Sequence, residues 1–276
     1  MGIVFTSFKK MEENNIILTH WLGQKEKFID NLTISRKRPT KNSVHDLRVT
    51  VKKLRSYLRL NEQLTGDNWK ESFSDISELY KSFGRQRDFD VSIPLVKKHE
   101  RQEHLSLSFF KDYLCVNSSL IRKWTKQDAI NFNEQEQAVF DQQFNVSLTT
   151  AEITQEVLRL SALKIKKVKN LGKHFQNNAH KIRKLLKDVH NWVRICPEDL
   201  VENFIRIKAL DQTLKLLGSW QDHSVFRQKI NIYTKTISKN EEKETLHALD
   251  KSLANAQDDI LEKAIKKWKE IEIKSK

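Results

Sequence analysis

The stretch Val44-His45-Asp46-Leu47-Arg48-Val49-Thr50-Val51-Lys52-Lys53-Leu54-Arg55-Ser56-Tyr57-Leu58-Arg59 decides the fold. Val44, Leu47, Val51, Leu54 and Leu58 recur at 3-4-3-4 spacing, the period of a helix that turns one face to a core. One position further on, His45, Arg48, Lys52, Arg55 and Arg59 keep the same spacing, about 100° around the helix. From His45 to Arg59 that line is about 21 Å long. Like charges at i,i+3 and i,i+4 cost a helix a few tenths of a kcal/mol per pair, and no acid interrupts the line. Helix stability alone does not favour such a ridge.

The arrangement recurs 135 residues later. Ala179, Ile182, Leu186, Val189 and Val193 stand for the apolar stripe. His180, Arg183, Lys187, His190 and Arg194 stand for the cationic one, and Trp192 stands for Tyr57. At an offset of 134, Lys215, Gly218, Asp222 and Val225 match Lys81, Gly84, Asp88 and Val91. Two ordered stripes followed by a second matched block predict an internal duplication, with halves at 1–146 and 147–276. Ridges on two related helices converge on one groove that concentrates positive potential, with Arg as a forked phosphate donor and Lys as a mobile point charge. Lys81 and Lys215 are further candidate donors. Asp88 and Asp222 each follow a glycine by four residues, so they are expected to cap helices restarting after a glycine stop. Tyr57 and Trp192 are expected to pack.

Composition agrees with an all-α chain. The 276 residues contain 6 Gly and 3 Pro, too few for the tight turns of a many-stranded protein. Lys and Arg number 50 against 36 Asp and Glu, a net +14, which points to a polyanionic partner. An apolar share of 38% with 14 Phe, 6 Trp and 4 Tyr is enough to bury a core. Cys115 and Cys196 form no paired motif, so neither a disulfide framework nor a Cys-based zinc site is expected, and a reducing cytoplasm is the expected location. No run of 18 apolar residues predicts a membrane span. Periodicity predicts helices near 6–33, 43–64, 68–83, 88–99, 101–124 and 134–145, then 149–176, 178–195, 199–217, 222–238 and 242–273. Arg36-Lys37-Arg38-Pro39-Thr40 reads as a basic linker.

His45-Asp46-Leu47-Arg48-Val49, with the basic pair Lys52-Lys53, and later Arg87-Asp88-Phe89-Asp90-Val91 resemble the CHAD family, the conserved histidine α-helical domain. The weaker copies His180-Lys181-Ile182-Arg183 and Gln221-Asp222-His223-Ser224-Val225 resemble its second repeat. The resemblance implies two four-helix bundles related by a pseudo-twofold around a basic central channel that binds inorganic polyphosphate. It adds Lys53 to the candidate lining and implies association with polyphosphate granules. Asp188 stands where Lys53 does, and Gln221 and Ser224 replace Arg87 and Asp90, so the charged surface is expected to be asymmetric.

No Gly-rich phosphate loop, HExxH, GxSxG or EF-hand pattern occurs. With the ridges and what the resemblance implies, the expected function is non-catalytic polyphosphate binding, with no cofactor and no metal. The rival is a general polyanion or nucleic-acid binder, because any phosphate backbone attracts Lys and Arg.

Overall fold

The computed structural model describes residues 15–103, 106–133, 140, 148–238 and 240–271. Its elements are helices, as expected: α1 (Ile16–Lys37), α2 (Lys41–Thr65), α3 (Ser74–Glu103), α4 (Ser108–Asn131), α5 (Thr150–Leu171), α6 (Phe175–Val193), α7 (Glu198–Phe204), α8 (Ile207–Thr234) and α9 (Asn240–Lys269). The start of the first expected helix, and all but Phe140 of the one expected at 134–145, lie outside the described residues.

Local chemistry sets the boundaries. Thr40 and Ser43 form a reciprocal capping box that starts α2, and Thr149 and Glu152 form another that starts α5. Gly66, at φ +81°, closes α2 in the left-handed region and donates its N–H to Glu62 O at 3.0 Å. The basic linker is shorter than expected. Arg36 and Lys37 are helical, and Arg36 donates from Nε to Ala129 O at 3.0 Å and from Nη2 to Phe132 O at 2.6 Å. These bonds satisfy carbonyls at the end of α4.

The largest correction concerns two glycines. Gly84 and Gly218 were expected to end helices, yet α3 and α8 run straight through them. A glycine ends a helix by adopting positive φ, and among the described residues only Gly66 does so. Asp88 and Asp222 are therefore interior helical residues and cap nothing. Instead, the break near 205 separates α7 from α8, and α5 gives way at Leu171 to a 3₁₀ turn at Gly172–His174.

The apolar stripes pack as expected. Val44, Leu47, Val51, Leu54 and Leu58 are fully buried, as are Ile182, Leu186, Val189 and Val193. The core has three parts. One joins α1, α2 and the start of α3 with Ile153, Val157 and Trp192. A second is built on α6, α8 and the end of α9. The third draws on both sides of residue 146, with Phe89 and Val96 of α3, Phe110 and Leu114 of α4, Phe226 of α8 and Leu249 of α9. Packing α3 and α4 against α8 and α9 in this way brings α2 and α6 into contact.

Candidate functional site

The seam between α2 and α6 is closed by hydrogen bonds. Trp192 Nε1 donates to Ser56 O at 2.8 Å. The buried Asp188 carboxylate accepts from Ser56 Oγ at 3.0 Å, from Arg59 Nε at 3.1 Å and from Lys164 Nζ at 3.1 Å. Arg59 Nη2 also contacts Asp188. Arg59, expected in the cationic lining, is thus committed to an ion pair within the seam.

Farther toward the start of α2, the ridge meets charges from three other helices. Arg48 donates from Nη1 to Tyr80 O at 2.7 Å and from Nη2 to Tyr80 Oη at 3.2 Å, with its guanidinium 4.1 Å above the Tyr80 ring centroid. That path crosses Gly84, where a Cβ would stand 2.6 Å from Arg48 Nη1. Gly84 keeps its helical backbone and supplies room for the guanidinium. Arg55 donates to Ser77 Oγ at 3.2 Å and lies 5.1 Å from the same Tyr80 ring.

Lys52 is the centre of the cluster. Burial, followed by the charges of Arg48, Arg183, Lys187 and Arg87, pushes its ammonium down to about 7. Burial and neighbouring cations also lower Lys187. Asp88 and Asp222 face this cluster. Both carboxyls are raised by burial, and Asp88 also by Asp222, against the pull of Lys229 and Arg48 on Asp88 and of Arg87 and Arg183 on Asp222. Six cations (Arg48, Lys52, Arg87, Arg183, Lys187 and, beside Asp88, Lys229) thus stand against two carboxylates. A cavity of about 230 Å³ between α3 and α8 reaches this edge, lined by Arg87, Asp222, Lys41 and Asp90 among others.

The second copy holds its arginine more loosely. Leu214 stands where Tyr80 does at the 134 offset, and Arg183 Nε is buried without a hydrogen-bond partner. His45 and His180 are exposed at the starts of the two ridges. Burial and then Arg87 lower the His45 imidazole, and His180 Nδ1 lies 3.1 Å from Gln221 Oε1.

The structure does not gather every expected residue. His190 Nε2 is 2.8 Å from Asp211 Oδ1, and Arg194 Nη2 is 2.9 Å from Asp211 Oδ2. Burial and the charge of Lys187 lower His190, so it contributes charge only in acid. Lys81 is exposed and pairs with Glu78 at 2.5 Å. Lys215 is exposed, and neither lysine is among the charges acting on Lys52. Lys53 is half-buried and feels Lys27, while its own charge reaches Lys187. Sequence reasoning missed Arg87, Asp88 and Asp222 as cluster members. An unbroken helical reading through Gly84 would have placed Arg87 and Asp88 one turn beyond it.

The depressed Lys52 has a measurable consequence. Below about 7 it is charged in both the folded and unfolded chain, so the full cost of burying the charge is present; above its ordinary value of 10.5 it is neutral in both. Lys52→Met is therefore expected to raise the melting temperature most at pH 7 and below. The gain over the parent should shrink steadily as the pH rises toward 10, as followed by thermal denaturation across that range.

Among the described residues no helix is long and apolar enough to cross a membrane, and no group of three metal-ligating side chains occurs. No curated protein matches the sequence significantly. The crystal structure of the CHAD domain from the plant Ricinus communis is similar, with a TM-score of 0.70 at 16% identity over 92% of this chain and 91% of that one. The family model for the CHAD domain matches residues 20–231. The span includes both ridges, Gly84 and the two carboxylates of the cluster, and the chain belongs to the CHAD family.

Proposed function

We propose that the cluster around Lys52 binds inorganic polyphosphate in a basic channel between two duplicated halves, without turning it over. The observation that carries this reading is the convergence on Lys52 of Arg48 from α2, Arg87 from α3, and Arg183 and Lys187 from α6. An anionic chain entering there removes the repulsion and replaces lost hydration with charge-assisted contacts. Arg48 of α2 and Arg183 of α6 bring a guanidinium from each ridge. Asp88 and Asp222 offset part of the positive charge while no ligand is bound.

Polyphosphate suits the cluster better than single-stranded nucleic acid does. Base stacking needs an open aromatic face. Tyr57 and Trp192 are buried, and the Tyr80 ring is covered by Arg48 and neighboured by Arg55. A cytoplasmic place beside polyphosphate granules accords with such binding.

The test is a competition between long-chain polyphosphate and single-stranded RNA of equal charge, at about 50 and about 300 mM salt. Polyphosphate should win at both, and its chain length should be unchanged on a gel after incubation. Equal competition, with both ligands lost at the higher salt, would leave only a general polyanion surface. Shortened chains would make the protein an enzyme.

A further inference from the structure

The outward face of α4 is apolar. Val116, Leu120 and Trp124 are 60%, 46% and 59% exposed. Their spacing places them within a sector of about 80°, along about 12 Å of helix. The buried residues of α4, Phe110, Leu114, Ser118, Thr125 and Ala129, lie on the opposite side. At the offset of 135 the corresponding positions of α9 are Lys251, Asn255 and Asp259, all exposed. The same offset takes the buried Leu114, Ser118 and Ala129 to the buried Leu249, Leu253 and Ala264. One helix therefore carries an ordinary polar exterior and its counterpart a hydrophobic seam, a difference that the packing beneath does not require.

We infer that this seam is an interface at which two copies of the chain pair through antiparallel α4 helices. A sector this narrow fits one facing helix, whereas a helix lying in a membrane interface presents a wider apolar face. Charge selects the occupant. Asp112 and Lys123 are exposed on the same flank of the seam, about 20° apart around the helix. In an antiparallel pair centred on residue 118, Val116 of each copy meets Leu120 of the other. Lys123 then comes within one residue's rise, about 1.5 Å along the axis, of Asp112 on the other copy. A twofold axis makes this contact twice, as self-complementary interfaces require. A parallel arrangement would carry Asp112 and Lys123 to opposite flanks of the two copies, and the pair would not meet.

A helix pair of this length buries less than a standard interface of about 1,600 Å², so reversible dimerisation at tens of micromolar is expected. The test is sedimentation velocity of the full chain up to about 100 µM. The parent should show a concentration-dependent dimer. Leu120→Glu, Asp112→Lys and Lys123→Asp should each be monomeric, and Asp112→Lys combined with Lys123→Asp should dimerise again. Circular dichroism of each variant confirms folding, which surface positions should not disturb. A parent that stays monomeric, a dimer indifferent to Leu120→Glu, or a charge swap that fails to restore pairing would overturn the inference. So would a monomer that instead sediments with vesicles of anionic phospholipid through Trp124.

Discussion

Asp188→Ala should lower the free energy of unfolding by about 3 kcal/mol, the scale for breaking a buried, multiply bonded ion pair. The carboxylate is 5% exposed and accepts from Ser56 and Arg59 of α2 and Lys164 of α5. Its removal leaves two cations facing each other across the seam, and Ser56 Oγ loses its acceptor. Asp211→Ala is the matched control. That carboxylate also serves two partners, His190 and Arg194, but stands at the surface, where such pairs are worth less than about 1 kcal/mol. Urea unfolding of the two variants measures the difference. Equal losses would mean that the seam is held by Trp192 and its apolar neighbours alone.

The α2 stretch announces its own packing. The core-facing residues are spaced at the helical period, and every one of the five is fully buried. Asp188 was visible in the sequence only as a departure, an acid where the first copy has Lys53. Its partners lie 132, 129 and 24 residues away, and periodicity within one helix holds no information about such contacts. The same limit explains Arg59 and Arg194. Both fall on the ridge by spacing, yet each is claimed by a carboxylate that the spacing cannot locate. Gly84 misled for another reason. Glycine is used both where the backbone must turn and where a side chain from elsewhere must pass. The sequence does not distinguish these uses, and the structure shows the second, with Arg48 crossing its Cα.

These placements divide the cationic residues into two classes with different expected effects. Replacing both Arg48 and Arg183 by alanine should weaken polyphosphate binding at least about a hundredfold, since each charge-assisted contact contributes about 1.5–3 kcal/mol and 1.4 kcal/mol is tenfold. Arg48 brings a guanidinium fixed by Tyr80, whereas Arg183 Nε has no hydrogen-bond partner. Replacing Lys81 and Arg194 instead removes the same net charge from the chain. Those two side chains are exposed and already paired, with Glu78 and Asp211, so the loss should stay within about threefold, the scale of a screened surface contact. Binding isotherms at one salt concentration, with circular dichroism to establish equal folding, separate the outcomes. If both doubles weaken binding alike, affinity follows net charge and the Lys52 cluster is not the site. If only the first does, position decides, and affinity should also rise as the pH falls through 7. Bound phosphate favours protonated Lys52, whose ammonium stands at about 7 without a ligand, so binding above that pH must draw in a proton.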